Sequence, residues 1–486
     1  MGAMTTPSPS PERDKLYLVS CRKTDPQAGD RRRMTANFDL DFHAPKRAGT
    51  FLLAEKKVGA PEGDVTVLDD TDAGENPNRL SQLNQQKSWT DQQRAAEDRI
   101  AQQLLRLGPM VLYVHGFNTV PNEAAQAAVR VQRYLDSLQV GATVVLFTWP
   151  SMGHLLDYFP DQMAAGRFGS YALVNLLMSL ARNANTTPVH CLAHSMGTYV
   201  TTRALSTIAT LHLELSLPAG RKLLAQVAFM QPDIDYDLLC SGYAGPQYDS
   251  PSYLEIPDGY AATEMVERLT IYCSTNDVAL FASLFKNRSK RLGAYGPGLE
   301  GEHDLASLMA KRIRPNVEVV NCDDWELLDP MPYHSHSRFL DCQPIMADVA
   351  RVLTSKPSTG APNLTQLISR WYRLDYLPAP HSPSPGILKS LAAFWGAVGN
   401  VAINPTVTFL VKGSKLVQQT LRVTGWFIPI GGVAVTIFGI SVSRSQGHTI
   451  VRSLLWVIAV AVAVYVLTWI RGRAVQKHED TATPVG

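Results

Sequence analysis

The run Val189-His190-Cys191-Leu192-Ala193-His194-Ser195-Met196-Gly197 carries the clearest chemical signal in the chain. A serine hydroxyl attacks a carbonyl only when a base takes its proton and donors hold the oxyanion that forms. An apolar strand, a sharp turn that strains the serine backbone and a following helix (Thr198–Ile208) would present Ser195 in that way. The residues two before and two after the serine must be small, because the turn presses them onto neighbouring backbone; here they are Ala193 and Gly197. A second apolar run ends in His115-Gly116-Phe117-Asn118. Gly116 permits close backbone approach. The expected oxyanion donors are the N–H of Met196 and that of Phe117, with Asn118 as the other candidate in the loop. His115 reads as a residue that fixes this loop rather than as a base, and His194 as a support beside the nucleophile. The acid is expected in Asn276-Asp277, after an apolar run, and Asp277 is the choice. Asp233 and Asp235 compete, although turn formation or helix capping explains them equally well. The base falls in Tyr333-His334-Ser335-His336-Ser337-Arg338-Phe339, where spacing alone does not choose between His334 and His336.

These residues need a scaffold that gathers them from distant parts of the chain. The pattern predicts strands at Lys15–Ser20, Phe51–Ala54, Met110–Val114, Ala142–Thr148, Val189–Ala193, Ala225–Met230, Leu269–Cys273 and Val317–Val320. Helices are expected at Thr90–Leu107, Pro121–Leu138, Met163–Ala181, Gly197–Ile208 and Pro344–Leu353, and 59–87 reads as a loop excursion. Strands that are apolar throughout and alternate with helices imply an α/β fold whose mostly parallel sheet is covered on both faces. Chemistry in such sheets collects at the carboxyl ends of the strands, where the candidate residues fall.

The stretches VHGFN, FTWPSMG, LAHSMG, QPDID, YCSTNDVAL, RLG and HSRF, in this order over about residues 110–340, resemble an uncharacterised bacterial family of esterase/lipase-like α/β-hydrolases. The strand near Lys15–Cys21 and the Arg that follows it resemble the family's start. The resemblance implies the α/β-hydrolase fold and its chain order of Ser, acid and His. It also implies that the base is His336 rather than His334, and that Asp277 is the acid. Where the family commonly has Tyr before the final aromatic, this chain has Arg338, a difference at the site mouth. The implied reaction is ester hydrolysis by a Ser-His-Asp triad through an acyl-enzyme. No substrate is implied.

The 486 residues are 45% hydrophobic and 18% charged, as in globular proteins, and the net charge of +2 gives no reason to expect nucleic acid as a partner. Arg31-Arg32-Arg33 reads as a solvated loop. Six scattered cysteines without a C-x-x-C pair read as buried thiols in a reducing compartment, and the polar, Pro-rich start lacks the apolar core of a secretory signal. No cofactor or metal is expected, since neither an H-E-x-x-H motif nor a Gly-rich phosphate loop occurs. The expected organisation is a flexible terminus (1–14), the α/β-hydrolase domain (15–355), a Pro-rich linker (356–386) and a membrane module (387–486). Between Arg422 and Arg444 lie 21 uncharged residues, and between Arg452 and Arg471 another 18. At about 1.5 Å per residue each approaches the roughly 30 Å of a bilayer core, which predicts a transmembrane hairpin at 425–442 and 453–470. Basic residues crowd its outer ends, so the hydrolase is expected on the cytoplasmic side of a bacterial inner membrane. Residues 390–411 read as an interfacial helix. Lipid esters are then the favoured substrates, and the C-terminal helices offer a surface for homo-oligomers. Two other readings compete: a non-catalytic membrane scaffold, against which the intact Ser, Asp and His set argues, and an oligomeric membrane-acting effector on the same fold.

Overall fold

The computed structural model describes residues 14–22, 31–34, 49–59, 64–71, 83–153, 157–183, 186–211, 220–242, 256–287, 289–299, 301, 303–323, 335–356, 358–359 and 361–375. All belong to the first of two units, Met1–Ser390. The segments 390–411, 425–442 and 453–470 lie outside the described residues. Among the described residues no helix is long and apolar enough to cross a membrane.

Among the described residues twelve strands form one sheet: β1 (Lys15–Ser20), β2 (Arg31–Arg33), β3 (Leu52–Lys57), β4 (Asp64–Asp70), β5 (Met110–Val114), β6 (Thr143–Thr148), β7 (Val189–His194), β8 (Leu224–Met230), β9 (Val266–Cys273), β10 (Val317–Asn321), β11 (Leu364–Ile368) and β12 (Trp371–Leu374). Their spatial order is β11-β12-β10-β9-β8-β7-β5-β6-β1-β3-β4-β2. From β12 to β1 all neighbours are parallel, and antiparallel strands extend both edges. The helices are α1 (Leu83–Leu105), α2 (Pro121–Ser137), α3 (Tyr158–Ala164), α4 (Ser170–Asn183), α5 (Met196–Thr210), α6 (Gly259–Ala262), α7 (Val278–Asn287), α8 (Leu292–Tyr295), α9 (Leu305–Lys311) and α10 (Gln343–Leu353).

The apolar strands are buried on both faces because side chains alternate along them. On β5, Met110, Leu112 and Val114 join the core shared with α1, α4 and α5, while Val111 and Tyr113 join the one shared with α2 and α10. Burying each Leu, Val or Met contributes about 1.5–3 kcal/mol. Helix α2 begins where the sequence indicates: Pro121 needs no N–H partner in the first turn, and the Glu123 carboxylate accepts the Val120 N–H at 3.3 Å.

Four segments depart from expectation. Arg31–Arg33, read as a solvated loop, is an edge strand paired antiparallel with β4. Strand β4 itself lies inside the expected 59–87 loop. Its Val65 and Val67 alternate with Asp64 and Thr66, a strand pattern masked by the charge of Asp64, Asp69 and Asp70. Beyond residue 355, where the domain was expected to give way to a linker, β11 and β12 form a hairpin, and β12 pairs with β10. The expected helix Met163–Ala181 runs as α3, a π-helical turn (Ala165–Gly169) and α4. Within that turn Gly166 lies close to the Tyr199 hydroxyl and Gly169 close to Trp149 and Val200.

Candidate active site

Ser195 links β7 to α5 with φ 52° and ψ −125°, a strained conformation for a residue with a Cβ. Its backbone is held from both sides. The Ser195 N–H donates to the Met230 carbonyl at 3.0 Å, and its carbonyl accepts the Asp233 N–H at 3.3 Å and the Thr198 hydroxyl at 2.6 Å. The need for small neighbours is geometric: a Cβ on Gly197 would fall 2.4 Å from the Val114 carbonyl oxygen and 2.5 Å from that of His115. A Cβ on Gly116 would fall 2.9 Å from the Ser195 Cβ, so the loop after β5 lies directly against the nucleophile turn.

That loop offers a free donor beside the serine. The N–H groups of Phe117 and Met196 find no acceptor among the described residues. Asn118, at φ 57°, turns its N–H toward the Asp161 carboxylate and favours its charged form. His115 is stacked on Trp149, with ring centroids 5.1 Å apart. Its Nε2 accepts the Trp149 N–H at 3.2 Å, which places the proton on Nδ1, where it donates to the Gly116 carbonyl at 2.9 Å. Burial first, and then the Arg22 charge, push the imidazole down to about 3. His115 is therefore a neutral loop fastener.

The acid and base candidates meet. His336, on the 3₁₀ turn Ser335–Asp341, donates from Nδ1 to Asp277 Oδ2 at 2.6 Å. The carboxylate side chain is fully buried and the imidazole 14% exposed. Asp277 Oδ1 accepts the Leu280 N–H at 2.9 Å, so the same residue caps α7 and is fixed by it. His194 Nε2 donates to the His336 carbonyl at 2.7 Å, and its ring packs 4.9 Å from that of His336 and 5.0 Å from Phe339. Burial, followed by the neighbouring His336, lowers His194 to about 3, so it stays neutral. His334 lies outside the described residues.

The competing carboxylates are engaged elsewhere. Arg291 binds Asp233 through Nε at 2.7 Å and Asp235 through Nη1 at 2.5 Å. Tyr158 and Ser283 hydroxyls also donate to Asp233, at 2.9 and 2.6 Å. Burial by itself would raise Asp233, but Arg291 and these hydrogen bonds hold it below the usual range. Asp323, which the sequence did not single out, accepts the Thr275 N–H at 2.7 Å and the Ser274 hydroxyl at 2.9 Å, and so shapes the turn leading to Asp277. Its only signal was its place just beyond an apolar strand. Among the described residues no group of three His, Cys, Asp or Glu side chains is arranged to hold a metal.

A family model described as alpha/beta hydrolase of unknown function (DUF900) matches residues 92–349. The chain belongs to this family. No curated protein matches it. Within the matched span of the alpha/beta hydrolase lie Ser195, Phe117, Asp277 and His336, whereas β1 to β4 precede it and the β11–β12 hairpin follows. Membership makes the protein a hydrolase and leaves its substrate open.

Proposed function

We propose that this chain is a membrane-anchored serine hydrolase that cleaves carboxylic esters, with lipid esters as its natural substrates. The observation that carries the reading is the 2.6 Å hydrogen bond between His336 Nδ1 and buried Asp277, beside a nucleophile turn in which Ser195 is strained. Asp277 keeps the His336 proton on Nδ1, so Nε2 is the basic atom. Ser195 Oγ attacks the ester carbonyl while His336 takes its proton. The N–H groups of Phe117 and Met196 receive the oxyanion, each worth roughly 3–4 kcal/mol of transition-state stabilisation. His336 then protonates the departing alcohol. Water, deprotonated by the same imidazole, cleaves the acyl-enzyme and returns the proton to Ser195.

An apolar acyl chain suits the surroundings. Phe117, Tyr158 and Phe159 follow one another edge to face at 5.2 and 5.7 Å, and Phe159 is 47% exposed. The uncharged segments 425–442 and 453–470 would tether the enzyme where such substrates are concentrated, with the catalytic domain on the cytoplasmic side.

A fluorophosphonate probe tests the chemistry on the full chain in detergent. Labelling of the unsubstituted protein that vanishes in Ser195→Ala is the expected result, and an unlabelled wild-type chain would sink the reading. Carbonate extraction of expressing cells tests the tether: the chain should stay with the membranes and leave them when 387–486 is deleted.

A further inference from the structure

Arg22 follows β1 and is only 3% exposed. Its guanidinium reaches two loops at once. Nε donates to Thr148 Oγ1 at 2.8 Å, at the end of β6, and Nη1 to the Ser151 carbonyl at 3.2 Å, in the loop that follows. Nη2 donates to the Thr119 carbonyl at 2.9 Å and approaches His115 Nε2 at 3.4 Å, at the two ends of the loop after β5. The parallel pairing of Ser20 with Thr148 sets this reach. Other bonds complete the clamp. Ser151 Oγ donates to Asp161 at 2.5 Å and accepts the Thr119 N–H at 3.1 Å, and Thr119 Oγ1 donates to the Phe117 carbonyl at 3.1 Å. Burial lowers Arg22 to about 10, which still leaves it charged at neutral pH.

A buried charge is costly, and a pair of loops could be packed together with apolar side chains instead. The planar fork does what those cannot: it fixes the carbonyl direction at Thr119 and Ser151 and closes on the histidine that starts the segment. Between His115 and Thr119 lies only Gly116-Phe117-Asn118. Gly116 sits against the Ser195 Cβ, so there is no slack for the Phe117 N–H to move without leaving its position beside the nucleophile.

We propose that Arg22 is a positioning residue for the oxyanion hole, locking residues 115–119 so that the Phe117 N–H converges with that of Met196. This rests on the reading of Ser195 as the nucleophile. It places a working part of the enzyme just after β1, upstream of the span that the family model matches.

The test compares full-length protein, Ser195→Ala, Arg22→Ala and Arg22→Lys in detergent, with p-nitrophenyl butyrate as substrate. Folded active protein is counted by thermal unfolding and fluorophosphonate titration. Misplacing a donor by about 1 Å costs on the order of 100-fold, so Arg22→Ala should lose about that much kcat per folded molecule, with KM within roughly threefold of wild type. Arg22→Lys, which keeps the charge and loses the fork, should lose roughly tenfold. Millimolar guanidinium should restore about tenfold to Arg22→Ala, and tetramethylammonium should not.

A merely structural arginine would lower the unfolding temperature and leave kcat per folded molecule unchanged; that result in either variant overturns the proposal. Should Arg22→Ala fail to fold, Arg22→Lys with wild-type kcat overturns it. If the unsubstituted protein shows no Ser195-dependent turnover, the serine-hydrolase reading and this inference fall together. Normal turnover with indifferent Arg22 variants removes this inference alone.

Discussion

The nucleophile side of the site is fastened mainly through its backbone, whereas the base side is fastened through a side chain, the His336 ring on Asp277. Ser195 has its N–H and carbonyl both engaged, Gly197 packs on two carbonyl oxygens, and the loop bearing Phe117 is fastened by Arg22, His115 and Asp161. His336 sits on a 3₁₀ turn, held through its ring by Asp277 and through its carbonyl by His194. The contrast matches the demands of acyl transfer. Donors that meet a developing charge are effective only if they need not reorganise. A base that shuttles a proton between serine, leaving alcohol and water must adjust by small rotations. The donors that would meet the charge are backbone groups of fastened segments, and the group that would move protons is a side chain.

Four experiments break or sharpen this contrast. Asp277→Asn strikes the base side: it should leave the fold intact and lower kcat by about 10⁴, because the amide leaves the His336 proton on the wrong nitrogen. A variant within tenfold of wild type would assign the acid elsewhere. Arg291→Met strikes the buried polar network below the nucleophile, stranding the Asp233 carboxylate. A loss on the order of 3–5 kcal/mol of stability is expected from denaturant unfolding; a loss below about 1 kcal/mol would mean that the network is not rigid. His194→Phe keeps ring packing and deletes the bond to the His336 carbonyl. Turnover should fall roughly tenfold, about the worth of one hydrogen bond, with little change in unfolding temperature; equal loss of both would make His194 a packing residue only.

The smallest effect concerns His190, a buried residue of β7 that burial lowers to about 4. Below pH 6.5, the ordinary histidine value, the unfolded chain binds a proton that the folded chain refuses. Stability therefore falls as pH drops from about 6.5 toward 4, by up to ~1.4 kcal/mol per pH unit. His115 and His194, both lowered to about 3, act in the same direction. His190→Leu should remove its share, about 1 kcal/mol near pH 5.5, and flatten the fall in unfolding temperature between pH 7 and pH 5. An unchanged slope would mean that water reaches this strand.

The nucleophile side was also the easier to read from sequence. The nucleophile turn is local, so an apolar run, Ala193, Ser195 and Gly197 announce it within nine residues. The pairing of Asp277 with His336 joins residues 59 apart, and only chain order and the family resemblance pointed to it. Arg22 was legible only as an Arg after a strand. Its clamp depends on β1 lying parallel to β6, a pairing that no local pattern encodes. Three aspartates concealed β4 and the Pro-rich surroundings concealed the β11–β12 hairpin: strands near a sheet edge carry polar side chains to water, and their composition resembles that of loops.

The Arg22–Thr148 bond spans 126 residues and the His194–His336 bond 142, yet the contacts described above that fasten residues 115–119 come from residues before 162. A growing polypeptide thus carries these contacts well before the base has been synthesised. Parallel sheets close distant segments slowly, since chain entropy must be overcome before contacts reward it. Esterolysis would therefore begin only as the last third of the domain docks, and a nascent or truncated chain would present a finished anion cradle with nothing to activate its serine.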